Sequence, residues 1–193
     1  VLKKDGTTIT NGSSQTVNAD TTFTTSATYS ATPTITRTDY NTFEVSADAG
    51  ATFIISKTQT TQPAASASGW ATTATKDVAT NAKETWYVWV KDANGNVSPN
   101  HATITNYQVT LTAGTGTTLT AKADNASTGA DVTSTNKYVL SGTPVFPTGA
   151  LITGYNTLVV KKGSSTITNG SSQTITADTT FTTSATPNTY HIV

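Results

Sequence analysis

The stretch Glu84-Thr-Trp-Tyr-Val-Trp-Val-Lys-Asp92, continued by Ala93-Asn-Gly-Asn-Val-Ser98, decides the fold class of this 193-residue chain. Side chains alternate across a strand, so Trp86, Val88 and Val90 share one face while Tyr87 and Trp89 take the other. Asn94-Gly95 then supplies the positive φ that a tight hairpin turn demands. Working outward, Thr34-Ile-Thr-Arg-Thr38, Thr42-Phe-Glu-Val-Ser46 and Ala51-Thr-Phe-Ile-Ile-Ser56 read as shorter strands, with Phe43 and Val45 alternating with polar neighbours. Downstream, Tyr107-Gln-Val-Thr-Leu-Thr112 alternates in the same way. Lys137-Tyr-Val-Leu-Ser141, Pro144-Val-Phe-Pro147, Leu158-Val-Val-Lys161 and Gln173-Thr-Ile-Thr176 follow. Many short strands separated by turn signals, with no helical period, predict an all-β chain of sandwich type.

Composition agrees. Thr fills about a quarter of the positions and charged residues only 11%, about half of the usual share. Eleven basic and eleven acidic groups cancel, which leaves no general attraction for phosphate backbones or anionic lipid. Nucleic acid is therefore not an expected partner. The longest apolar runs, such as Leu158-Val-Val160, are far below the roughly 20 residues of a transmembrane helix, so no membrane span is expected. Cys is absent, which fits both a reducing compartment and exported proteins that fold without disulfides.

The chain also repeats itself. Residues 1–28 match residues 159–186 at 22 of 28 positions, and this identity reads as recent duplication of a period of 158 residues. So long a period predicts independently folded beads rather than a solenoid. Four segments are expected: 1–28, the closing half of a repeat; 29–105, which holds Trp70, Trp86 and Trp89; 106–186, a second and complete repeat; and 187–193, a linker or the start of a further module. Ala27–Pro33 and Ser98–His101 read as the joints. The expected core is Ile9, Val17 and Phe23 in the first copy, Ile167, Ile175 and Phe181 in the second, and Phe43, Val45, Trp86, Val88 and Val90 between them.

Residues 86–98 resemble the penultimate strand and hairpin of bacterial immunoglobulin-like domains, which read aromatic-Val-x-Val-x-Asp-x-x-Gly-Asn-x-Ser. Segment 106–186 resembles the Listeria–Bacteroides repeat, or internalin B-repeat, in its opening Tyr107-Gln-Val-Thr110, its central Gly154-Tyr155, and its closing turn, strand, Asp178-Thr-Thr and Phe181 strand. The resemblances imply an immunoglobulin-like β-sandwich followed by a small β-grasp-like module, strung as tandem beads in a Gram-positive surface protein. They further imply an extracellular location and the possibility of Lys–Asn isopeptide or Thr–Gln ester cross-links. Lys57, Lys76, Lys83 and Asn81 are available for such a bond, with unlinked surface lysines as the simpler reading.

Candidate chemistry is sparse. His101 and His191 are the two imidazoles, each read as solvated and neither beside a nucleophile motif. Asp92, Asn94 and Asn96 place oxygens at alternate positions as calcium loops do, although a turn needs Asp, Asn and Gly for its own hydrogen bonds. Tyr87 and Trp89 are candidates for an aromatic platform that stacks on a sugar ring, against the plainer reading of core. The Thr-rich strands are too irregular for an ice-binding face. No cofactor and no catalysis are expected. The expected function is a stalk or fibre segment that spaces and presents an adhesive tip, with neighbouring copies of the repeat as partners. A glycan- or host-protein-binding adhesin module, or a filament subunit joined by strand complementation, are the alternatives.

Overall fold

The computed structural model describes residues 1–25 and 32–189. All regular structure among them is β. Strands β1 (Leu2–Lys4), β2 (Thr7–Ile9) and β3 (Phe23–Thr25) form a three-stranded sheet with β1 in the middle. Next come β4 (Thr34–Arg37), β5 (Thr42–Ser46), β6 (Thr52–Ser56), β7 (Thr75–Asp77), β8 (Thr85–Lys91) and β9 (Ala102–Thr112). The remainder is β10 (Thr117–Ala123), β11 (Ala130–Asp131), β12 (Tyr138–Leu140), β13 (Pro144–Leu151), β14 (Tyr155–Lys162), β15 (Ser165–Ile167), β16 (Gln173–Thr174) and β17 (Thr179–Pro187).

A seven-stranded sheet runs β15-β14-β17-β9-β8-β6, with β12 also paired to β9. Two smaller sheets, β4-β5-β7 and β11-β10-β13-β16, complete two sandwiches. In the first, Phe43, Val45, Val78, Phe53, Trp86, Val88, Val90 and Ile104 form one buried cluster. In the second, Val109, Ala121, Ala123, Val132, Val139, Val145, Ile175 and Phe181 form another, with Ile167 packed partly buried beside it. The second unit is all-β, like the first. Among the described residues no helix crosses its sheet; β10 and β13 cover the inner face instead.

The boundary between the units is different from the expected linker. Ser98–His101 lies inside the β8–β9 hairpin, where Ser98 is fully buried and exchanges hydrogen bonds with Val90. One strand, β9, carries the chain from the first sandwich to the second. Its residues 102–105 pair with β8 and residues 109–112 with β17. Ile104 enters the first core, whereas Tyr107, Val109 and Leu111 line the second, as alternation along one strand requires for cores on opposite faces. Strand β12 does the same within two residues, since Val139 belongs to the second core and Leu140 to the first.

Polar contacts reinforce this seam. Asp124 accepts from the Arg37 guanidinium and from the Tyr40 N–H at 2.6 Å, and the Leu140 N–H donates to the Tyr40 carbonyl at 2.7 Å. Asn106 is 1% exposed and fully satisfied. Its Oδ1 accepts from the Glu84 N–H at 2.6 Å, and its Nδ2 donates to the carbonyls of Ala79 and Ala82 at 2.7 and 2.9 Å.

In the amino-terminal copy of the repeat, Val17 and Phe23 are 55% and 49% exposed and Ile9 is half-buried. The expectation that both copies bury the same side chains therefore holds only for Ile175 and Phe181. The physical reason is that, among the described residues, no second sheet lies against the face of β1–β3. The expected joint at 27–33 falls mostly outside the described residues, as does the tail from Tyr190 onward. Pro187 ends β17, and the Asn188 N–H still donates to Gly154 at 2.9 Å.

Asn106→Ala would remove the partner of three part-buried backbone groups, at Ala79, Ala82 and Glu84, so a loss of about 2 kcal/mol is expected. Urea unfolding followed by Trp fluorescence measures it; a loss below about 1 kcal/mol would show that the seam does not depend on this side chain.

Candidate functional site

The sequence placed its candidate ligands on β8 and the turn after it, and the structure brings these residues together with a loop that the sequence left unassigned. Trp89 is only 3% exposed, and its Nε1–H donates to the Gln59 carbonyl at 2.8 Å. Gln62 reaches from the same loop to the Ser98 carbonyl at 2.8 Å. Residues 57–71 therefore lie across the outer side of β8, and the indole is a core group rather than an open platform. This corrects the reading of Trp89 as a stacking surface. Tyr87 is half-buried and stands edge-on to the His101 ring with centroids 5.1 Å apart.

His101 was expected in solvent and instead fills the space between two aromatics, since its ring is also 5.1 Å from that of Trp89. Its position beyond a Ser-Pro pair gave no hint of this. His191 lies outside the described residues. Trp70 sits on the same loop, where its Nε1–H donates to Ala64 at 3.2 Å and Lys91 Nζ stands 4.8 Å above its ring.

The turn after β8 is closed by its own hydrogen bonds. One carboxylate oxygen of Asp92 accepts the N–H groups of Asn94 and Asn96 at 2.9 and 2.8 Å. The other accepts from Asn96 Nδ2 at 2.9 Å. The Asn96 side chain, aided by the backbone N–H groups, holds the Asp92 carboxyl below its ordinary range. Both oxygens thus face N–H hydrogens, which a cation would have to displace. Asp92, Asn94 and Asn96 are the parts of an Asx-type turn, not a convergent metal cage.

A cluster not singled out from sequence surrounds Glu84. Its Oε2 accepts from the Ala79 N–H at 3.1 Å and from Trp86 Nε1 at 3.0 Å, while Oε1 receives Lys57 Nζ at 2.9 Å. Burial acts to raise this carboxyl, but the Ala79 N–H, Lys57 and Trp86 together outweigh it and hold the value below normal. Lys57 and Lys76 stand 5.4 and 5.0 Å from the Trp86 ring. Lys83 pairs with Asp178 at 3.0 Å with about half of each side chain exposed, and Asn81 is exposed. None of the lysines considered for a cross-link is buried beside Asn81. The spacing Glu84-x-Trp86 on a strand, which puts both side chains on one face, is the signal that could have located the cluster.

Two shallow depressions of about 270 and 400 Å³ flank Leu111 and Thr133. Lys137 is the one ionisable lining residue of the first and Asp131 of the second, so neither gathers an acid and a base. Among the described residues no three His, Cys, Asp or Glu side chains are grouped as metal ligands. No family model matches the chain, and no curated protein and no solved structure matches it either. The ion pairs Arg37–Asp124, Lys57–Glu84 and Lys83–Asp178 each join segments far apart in sequence.

Glu84→Gln keeps the shape of the cluster and removes its charge, and should lower stability at neutral pH by roughly 1–2 kcal/mol. Because the folded carboxyl is held low, its contribution is complete above the ordinary carboxylate value and is lost as pH falls through the depressed one. Thermal melts of the two proteins should therefore converge as the pH falls through and below the carboxylate range. A difference that stays constant with pH would show that the charge contributes nothing.

Proposed function

We propose that the chain is a load-bearing segment of an extracellular bacterial repeat protein, a stalk or fibre that spaces and presents a tip at the cell surface. The observation that carries this reading is the parallel pairing of β17 with β9, Thr179 to Val109 through Thr182 to Thr112. Tension from the first sandwich reaches β9 at its amino end, and tension from downstream reaches β17 at its carboxyl end. In a parallel pair these ends lie at opposite extremes of the contact, so a pull along the chain loads the hydrogen bonds in shear and all at once. An antiparallel pair would open one bond at a time.

Three further features support it. The first sandwich sets its strands 1, 2 and 4 against 3, 5 and 6, the division of A, B and E from C, F and G in an immunoglobulin domain. This favours the immunoglobulin-like reading. The second sandwich is taken as a relative of the Listeria–Bacteroides repeat on its motifs. Low charge and a duplicated period suit a long, inert array: only 11 Lys and Arg in 193 residues leave few tryptic sites, and mostly short connections leave few exposed tips for proteases. Ionisable groups committed to internal bonds suit a non-catalytic role.

Single-molecule pulling tests the proposal. With handles at the chain ends, the second sandwich should rupture at a force several-fold higher than with handles placed at Thr112 and Thr182, which face each other at one end of the contact, so that the strands are peeled apart. Equal forces in the two geometries would remove the mechanical reading.

A further inference from the structure

Asn-Gly occurs three times in the chain, at Asn11-Gly12, Asn94-Gly95 and Asn169-Gly170. Each glycine sits at positive φ, 81°, 86° and 74° in turn. The dipeptide carries a latent reaction that needs no enzyme. The backbone nitrogen that follows asparagine attacks the side-chain Cγ, and a glycine there places no Cβ in its way. The N–Cγ bond forms, the Cγ–Nδ2 bond breaks, and the departing nitrogen leaves as ammonia with the proton that the attacking amide gives up. Water then opens the five-membered imide at either carbonyl. The products are aspartate and its isomer, in which the main chain runs through the former side chain. Water is the one co-reactant.

The fold treats these sites differently. The Asn169 side chain is clasped to β13: its Oδ1 accepts the Gly149 N–H at 2.8 Å and its Nδ2 donates to the Gly149 carbonyl at 3.0 Å. Both bonds must break before its Cγ swings toward the Gly170 nitrogen, which itself donates to the Pro147 carbonyl at 2.9 Å. Asn94 has no such clasp. Its backbone N–H is tied to Asp92 at 2.9 Å, but its side-chain amide makes no hydrogen bond among the described residues. The Gly95 N–H donates to the Asp92 carbonyl at 3.1 Å, a bond inside the turn itself. An atom built at the Cβ position of Gly95 would meet nothing within 4 Å, so the imide ring has room. Asn94 and Asn169 are both exposed, so access to water does not separate them. Asn11 supplies the reference: residues 9–16 and 167–174 are identical in sequence, and the Asn11 side chain makes no hydrogen bond among the described residues.

We infer that Asn94 is a site of spontaneous deamidation, a modification that the fold permits in the turn after β8 and suppresses at Asn169. The product places a second carboxylate two residues from that of Asp92. The isomer also adds a methylene to the main chain inside the turn that the Asp92 N–H closes on the Asn96 carbonyl at 3.0 Å, next to the Lys91–Val97 bridge. Each event moves a chain of formal net charge zero one unit negative. The turn thus records how long a molecule has been in water. This inference goes beyond the mechanical reading and does not depend on it.

Incubation of the 193-residue chain in mildly alkaline buffer, followed by peptide mapping with mass spectrometry and enzymatic methyl labelling of isoaspartate, tests it. The peptide that carries Asn94 should gain one mass unit and take up label. Two hydrogen bonds of ordinary strength should slow the reaction at Asn169 on the order of 10- to 100-fold relative to Asn94. In urea sufficient to unfold the chain, Asn169 should react as fast as Asn11, since the eight residues around each are the same. Equal rates at Asn94 and Asn169 in the folded chain would overturn the inference. So would an Asn94 peptide that stays intact in the folded chain and converts only in urea, because the turn would then protect Asn94 without a side-chain clasp.

Discussion

Two hydrophobic cores are buried against opposite faces of the same two strands. Ile104 and Leu140 belong to one, and Val109 and Val139, on the same β9 and β12, belong to the other. Neither core can be taken apart without exposing the back of a strand that the other needs. Buried area in small β domains is modest, and sharing a sheet lets each sandwich use the other as its covered edge. The Asp124 and Asp178 contacts follow from this, since each joins an element of the first sandwich to one of the second, while Asn106 fixes the shared strand β9 to the segment before β8.

That constraint also explains where side-chain chemistry went. Three polar groups, Asp92, Glu84 and His101, are consumed in closing a turn, anchoring Lys57 and filling the gap between Tyr87 and Trp89. In a fold with short strands and few apolar residues, loops need such anchors. The loop over Trp89 is held through the Gln59 carbonyl and the Gln62 amide rather than by a large apolar contact.

Much of this was legible from residues. The alternation in 84–92 placed Trp86, Val88 and Val90 in the core, and all three are buried. The repeat identified which segments fold alike. Strand β10 was not among the strands legible in the sequence, because its buried side chains are Ala121, Ala123 and Thr117; small residues carry almost no hydrophobic signal even at strand period. The cover over Trp89 was hidden for a related reason, because residues 57–71 have no period at all. The fusion through β9 was missed because Tyr107 looked like the start of a strand, when Ile104 already belonged to the same one. Identity between the two copies could not reveal that Phe23 lacks a second sheet, since exposure depends on what stands opposite.

The shared sheet makes one direct demand on solution behaviour. All three Trp lie in the first sandwich, so their fluorescence follows that unit alone, while Phe181 is buried only in the second core. Urea unfolding of Phe181→Ala, monitored by Trp emission, should show one transition shifted to lower denaturant by an amount that matches the far-ultraviolet circular dichroism. A Trp transition that stays at the unmodified midpoint while circular dichroism splits into two steps would mean that the sandwiches unfold separately and that β9 is a tether, not a seam.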